Sequence, residues 1–199
     1  MSKIRAAITA VEGYVPDYIL TNDELSRMVD TNDEWIMTRI GIKERRILKG
    51  EKGPSDMAEV VVKRILEKKN LSPDSIELVI CCTVTPDMVF PATANVIAHK
   101  CGIKHGFGFD VNAGCSGFLY GLTTASKYIE SGFVKRALVI GAEKMSAIVN
   151  YEDRATCPIF GDGAAGVLLE ATEEPYGLMD EILCSDGEGV KHLHQVAGG

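Results

Sequence analysis

The sequence predicts an α/β layered fold: a mainly parallel, mixed sheet with helices on both faces. Three observations carry that expectation. Residues 76–84 and 136–141 are nearly unbroken apolar runs of strand length, as expected for strands covered on both sides. Between such runs lie longer segments whose apolar residues recur at helical spacing, above all from Ser55 and from Ser116. Glycine, proline or asparagine marks nearly every change of period. Strands alternating with amphipathic helices give a layered α/β protein.

Residues 4–11, IRAAITAV, read as a first strand ended by Gly13 and Pro16. Thr21-Asn22-Asp23 supplies N-cap chemistry for a short helix to Val29. Thr31 or Asn32 caps a second helix, which carries Trp35 and Arg39 and stops at Gly41. The charged stretch KERRILKGEKGP reads as an exposed loop or hairpin. From Ser55 to Asn70, Met57, Val61, Ile65 and Leu66 share one face, with Lys63, Arg64, Glu67 and Lys68 opposite. After the strand at 76–84, Pro86 and Pro91 bracket a loop, and Pro91 opens a helix to Lys100 closed by Gly102. Phe107, Phe109 and Val111 alternate in a short strand, expected to be buried, before the small-residue turn Asn112-Ala113-Gly114. Phe118, Leu119, Leu122, Ala125, Tyr128 and Ile129 mark a long helix with Gly132 as its stop. Residues 136–141 and 160–170 supply two last strands, the final one expected near the first.

A chain of 199 residues buries roughly 70% of its unfolded surface, enough for one sizeable core. With 46% hydrophobic and 25% charged residues it has ordinary globular composition. No apolar run approaches membrane-spanning length, and Glu12 interrupts the short apolar start, so neither a span nor an export signal is expected. A net charge of −7 argues against a general nucleic-acid surface. The six cysteines include the adjacent Cys81 and Cys82 and no C-x-x-C pair, which points to free thiols in a reducing cytoplasm. His192 and His194 have metal spacing but no third ligand nearby, so no metal is expected.

Cys115 is the candidate nucleophile. It falls where an apolar strand gives way to a helix, and the first N–H groups of a helix favour an anion. The thiolate is the reactive form of cysteine. Gly114 and Gly117 leave room for a substrate carbonyl at the sulfur, and the same N–H groups could hold the oxyanion of an acyl transfer. The competing reading is a buried cysteine serving as a small apolar group. Gly161-x-Gly163-x-x-Gly166 spells a dinucleotide fingerprint, but strand-like residues follow where a helix is required, so nucleotide binding is not expected there.

Three blocks together resemble the β-ketoacyl-[acyl-carrier-protein] synthase III family of the thiolase superfamily. They are Asp30–Ile36 running on to Arg39-x-Gly41-Ile42-x-x-Arg45, the cysteine block Asp110–Phe118, and Asp153-Arg154 leading to Phe160-Gly161-Asp162-Gly163-Ala164. The resemblance implies a thiolase-like fold, the first of two pseudo-symmetric halves. Residues 1–170 would form that half, and 171–199 would begin the connection to a C-terminal half absent from this chain. It implies the initiating condensation of type II fatty acid synthesis, by a ping-pong route. Cys115 would take an acyl group, usually acetyl, from coenzyme A. The acyl-cysteine would then condense with malonyl-acyl carrier protein as that substrate decarboxylates.

The resemblance also implies roles for particular residues. Trp35 and Arg154 match a pair that sandwiches the adenine, and Thr31 and Arg39 line the coenzyme's path. Phe90, Met145 and Phe160 shape the acyl pocket, Phe90 by reaching across a homodimer. Without the resemblance, Trp35 reads as a half-buried tryptophan, Arg154 as a surface arginine, and Phe90, Met145 and Phe160 as core apolar groups. The coenzyme is a substrate, so no cofactor is implied. Lys43, Arg45 and Arg46 form an exposed basic group, read either as a contact for the acidic carrier protein or as a solvated loop. The family's catalytic histidine and asparagine lie in the second half, and His99, His105 and His194 match neither, so this chain alone is expected not to condense anything. Two alternatives stand beside this reading: another thiolase-fold acyl-CoA enzyme, of the hydroxymethylglutaryl-CoA synthase or secondary-metabolism kind, and a non-catalytic partner subunit.

Overall fold

A computed structural model describes residues 4–195. The readings placed on the first three residues and on Ala197-Gly198-Gly199 lie outside the described residues. In chain order the elements are β1 (Arg5–Tyr14), β2 (Tyr18–Thr21), α1 (Asn22–Leu25), α2 (Asp33–Arg39), β3 (Glu44–Ile47) and α3 (Pro54–Lys69). There follow β4 (Leu78–Cys82), α4 (Thr93–Lys100), β5 (Phe107–Val111), α5 (Gly117–Glu130), β6 (Arg136–Lys144) and β7 (Asp162–Thr172).

The main sheet has the order β1-β7-β6-β4-β5. β4 runs parallel to β5 and β6, whereas β7 is antiparallel to both β6 and β1. The sheet is mixed, as expected, but evenly so and not mainly parallel. The parallel pairs are those whose connections include a crossover helix, α4 and α5. The link from β6 to β7 contains only turns, so β7 returns antiparallel. β7 does lie beside β1, as expected.

Alternate residues of the strands feed two cores. Val79 and Cys81 of β4 and Leu138 and Ile140 of β6 pack with Met57, Val61 and Ile65 of α3 and Ile97 of α4. Leu78, Ile80 and Cys82 of β4, with Ala137 and Val139 of β6, pack on the opposite face with Ala125 and Ile129 of α5. α5 approaches closely because Gly121 has no side chain. A Cβ there would stand 2.5 Å from the Cys82 sulfur and 3.2 Å from Val139 Cγ1.

Several elements differ from the expectations, each for a local reason. The helix at Asn22 lasts four residues and gives way to turns before Val29, although Thr21 caps it as expected by accepting from Glu24 N–H. Asn32, not Thr31, caps α2, accepting from Trp35 N–H at 2.8 Å. The basic stretch after Gly41 forms β3, which pairs with the unexpected β2 in a second, two-stranded sheet. Pro91 does not open α4; the helix starts at Thr93 behind Ala92. β5 is not buried. It is the edge strand, half-buried along its length with Phe107 40% exposed.

Arg45 requires a plain correction: it is not part of an exposed basic group. It is 4% exposed, donating from Nη1 to the Leu20 carbonyl and from Nη2 to Asn22 Oδ1. Burial pulls its pKa below the ordinary guanidinium value. Asn22 in turn donates to Asp33 Oδ1 and the Ile42 carbonyl. This network, with the cluster of Leu20, Leu25, Ile36, Ile47 and Cys157, holds α1, α2, β2 and β3 together. Arg46 is half-buried, donating to the Pro16 carbonyl, and Lys43 alone of the three is exposed.

Glu170 on β7 ties three elements. It accepts from bulged Thr9 of β1 at 2.7 Å, pairs with its cross-strand neighbour Arg136 of β6 at 2.8 Å, and meets Lys69 of α3 at 3.0 Å. Burial by itself pushes this carboxyl up, but the hydrogen bonds from Thr9, Arg136 and Lys69 outweigh it and hold the pKa down at about 2, below the ordinary 4.5. A depressed carboxyl stabilises the fold above its unfolded pKa and loses that effect as pH falls through the folded one. Glu170→Gln should therefore lower the melting temperature at pH 7, and the gap from wild type should close between pH 4.5 and about 2. A gap that stays constant over that window in a pH series of thermal melts would contradict the assignment.

Candidate active site

Cys115, Phe90, Met145 and Phe160 lie in connections at one end of the main sheet. β4, β5 and β6 run in the same direction, as does β1 through its two antiparallel steps, so their carboxyl ends coincide with the amino end of β7. Cys115 follows β5, the loop with Phe90 follows β4, and Met145 follows β6. Phe160 precedes β7, and the path to α2 leaves β1. Ligand crevices in open α/β sheets form at the carboxyl ends of their strands.

Cys115 is the middle residue of a 3-10 turn, Gly114–Ser116, directly ahead of α5. Gly114 has φ 53°, a left-handed conformation that glycine adopts without strain. The thiol is exposed, which removes the competing reading of a buried apolar group. Behind the turn, Gly117, the first residue of α5, packs on β4 and β5, where a Cβ would sit in ordinary contact, 3.6 Å from Cys82 Cβ and 3.7 Å from the Val111 carbonyl oxygen. The helix end is thereby set against the sheet at the position of the sulfur.

Trp35, Arg39 and Arg154 form one group. The Arg154 guanidinium stands 4.7 Å from the Trp35 ring centre and that of Arg39 5.2 Å, both cation–π distances. Arg154 also donates to the Asp30 carbonyl and pairs with its carboxylate at 3.3 Å. Both side chains of that pair are well exposed, so it contributes little by itself. Among the described residues, the buried Thr31 hydroxyl has no hydrogen-bond partner.

Met145 and Phe160 are half-buried on segments joined by Asp162. This buried carboxylate accepts from Ser146 N–H at 2.8 Å, from the Ser146 hydroxyl at 2.6 Å and from Leu48 N–H at 2.7 Å. Phe90 is 82% exposed at the tip of its loop. Asp162 and Asp30 were not singled out from the sequence for these contacts. Their partners lie 16 or more residues away, beyond the reach of any local pattern.

The glycines at 161, 163 and 166 lie at and inside β7, between β1 and β6, so no helix amino end follows them. Among the described residues, no group of three or more His, Cys, Asp or Glu side chains is placed to hold a metal ion, and no helix is long and apolar enough to cross a membrane.

A helix-covered mixed sheet with an accessible cysteine between strand and helix defines a thiolase-like α/β protein. A family model for 3-oxoacyl-[acyl-carrier-protein (ACP)] synthase III matches residues 109–187, the stretch that contains Cys115. The chain is 58% identical, over its whole length, to a β-ketoacyl-[acyl-carrier-protein] synthase III of Phocaeicola vulgatus and 57% identical to one of Bacteroides thetaiotaomicron. It spans 60% of the length of each. Among solved structures, the synthase III of Aquifex aeolicus superposes with a TM-score of 0.82 at 46% identity, over 85% of this chain and 55% of that one. That of Thermus thermophilus gives 0.89 at 37% identity, over 96% and 59%. The chain belongs to the β-ketoacyl-[acyl-carrier-protein] synthase III family.

Burial separates the cysteines into two sets. Burial pushes the Cys82 thiol up to about 12 and that of Cys101 to about 11, and raises Cys81 and Cys157 as well. Cys115 and Cys184 are exposed. Iodoacetamide applied to the folded chain at pH 7.5 should alkylate Cys115 and Cys184 and spare the other four, as read by peptide mass spectrometry. Modification of Cys82 before Cys115 would contradict this placement of α5.

Proposed function

We propose that the protein carrying this chain is the initiating condensing enzyme of type II fatty acid synthesis, with Cys115 as its acyl acceptor. The observation that carries this reading is the exposed Cys115 thiol between a left-handed glycine and the first turn of α5. In the proposed reaction the Cys115 thiolate attacks the thioester carbonyl of acyl-CoA. A carbon–sulfur bond forms to the cysteine, the bond to the coenzyme sulfur breaks, and coenzyme A leaves as its thiolate, which takes a proton from solvent. Backbone N–H groups at the start of α5 hold the transient oxyanion. Malonyl-acyl carrier protein then loses carbon dioxide, and its carbanion attacks the acyl-cysteine carbonyl. This releases 3-ketoacyl-carrier protein and returns the thiolate.

The Trp35–Arg154 pair supports the coenzyme role. An indole face and a planar cation suit an adenine ring, and the guanidinium now covering the indole would withdraw to admit it. Thr31, with its unpartnered hydroxyl, and Arg39 would line the path. Phe90, Met145 and Phe160 would wall the acyl pocket. A homodimer is the proposed assembly, supported by the open edge of β5 and the exposed Phe90. The proposed location is the cytoplasm.

Radiolabelled acetyl-CoA tests the nucleophile, using the protein at its natural length. Label should reach Cys115 and vanish in Cys115→Ala. Labelling that survives the substitution would refute this residue, and no labelling of wild type would favour a non-catalytic subunit. The fluorescence of Trp35, taken as the signal lost in Trp35→Phe, reports on the coenzyme group. Coenzyme A should quench it, and Arg154→Ala should weaken binding about tenfold, from a cation–π contact worth roughly 1–2 kcal/mol. Equal affinity in the two proteins would remove Arg154 from the site.

A further inference from the structure

The loop between β4 and α4 is held on both sides of an exposed tip. On the β4 side, Glu143 of β6 accepts from Val84 N–H at 2.8 Å and from the hydroxyls of Thr83 and Thr85. Asp87 then accepts from the Ser55 hydroxyl of α3 at 2.9 Å. On the α4 side, the residue in the N-cap position is Ala92, whose methyl cannot satisfy a helix N–H group. The missing acceptor comes from another element. Asp110, on β5, accepts from Thr93 N–H at 2.7 Å through Oδ2 and from Ala94 N–H at 2.8 Å through Oδ1. Between the two anchors, Met88, Val89 and Phe90 are 47%, 86% and 82% exposed.

Asp110 lies five residues before Cys115, on the strand that delivers it. One carboxylate thus connects the nucleophile's strand to the helix whose preceding loop carries Phe90. A charged acceptor on two helix N–H groups is a strong hydrogen-bond pair, reinforced by the helix dipole. We infer that Asp110 is a positioning residue for acyl-chain selectivity: it fixes the loop bearing Met88, Val89 and Phe90 against β5, the open edge of the proposed dimer, and so sets where Phe90 enters the acyl pocket of the partner subunit. The inference rests on the proposed acyl transfer to Cys115 and adds to it a residue that touches neither substrate. Loss of the cap would free the start of α4 and let the apolar tip shift, which changes how many methylenes the pocket accepts.

The test measures kcat/KM for acylation with acetyl-CoA and with hexanoyl-CoA, in the protein at its natural length. Asp110→Ala should change the acetyl-to-hexanoyl ratio about tenfold, the scale on which apolar pockets discriminate added methylenes. Asp110→Asn keeps one oxygen that can accept an N–H and should recover most of the wild-type ratio. Phe90→Ala should also move the ratio, and in the double variant with Asp110→Ala the two effects should not add, because both act through the same loop. Both rates falling in parallel at an unchanged ratio, or additive effects in the double variant, would overturn the inference. If Asp110→Ala does not fold, Asp110→Ser, whose single oxygen on a shorter arm cannot accept from both N–H groups, takes its place in the ratio and in the cycle with Phe90→Ala. Wild type that acylates at Cys115 without these selectivity shifts defeats only the inference; wild type that never acylates there defeats the functional reading and the inference together.

Discussion

The placement of the Cys115 thiol depends on how closely α5 lies on the sheet. Gly121 faces the Cys82 sulfur, Val139 and Ile80, leaving no volume for even a methyl group. An extra methylene in a packed core costs roughly 1–3 kcal/mol and displaces the element that carries it. Four residues earlier, Gly117 lies against β4 and β5 at ordinary contact distance, with room left for a methyl group. These two contacts fix the height and tilt of the helix amino end, and Cys115 is two residues ahead of it. The position of the sulfur thus depends on the absence of a side chain at Gly121 behind it.

Around that fixed point, carboxylates hold the loops. Asp110 grips the start of α4, Glu143 the end of β4, and Asp162 the turn after β6 and the residue after β3. All three accept at least one backbone N–H, so each holds the course of the chain and not merely a side chain. Charged acceptors are apt for this task because their hydrogen bonds are roughly twice as strong as neutral ones. The result is a sheet end whose apolar tips and exposed thiol sit on held backbone, while the tryptophan–arginine group lies on the separate block organised by Arg45.

Arg45 and β5 show why part of this was not legible in the sequence. KERRILKGEKGP has the composition of a solvated loop, yet Arg45 is buried because Asn22 and the Leu20 carbonyl, more than twenty residues away, offer it acceptors. Phe107-Gly-Phe-Asp-Val has the alternation of a strand, but alternation does not say whether a neighbour lies on each side, and none pairs with its outer edge. Pro91 carries the usual signal of a helix start, and the helix instead begins where Asp110 can reach it.

By itself the sequence determined the amphipathic helices α3 and α5, the buried strands β4 and β6, and the break at which Cys115 sits. These follow from periodicity, glycine and capping residues within a few positions of one another. It also determined the family, because three short blocks in order are a specific pattern. Only the tertiary structure decided the sheet order, the even balance of parallel and antiparallel pairs, the burial of Arg45 and the partners of Asp110 and Asp162. Those outcomes depend on hydrogen-bond partners and packed surfaces brought together from distant parts of the chain, which no local pattern of residues encodes.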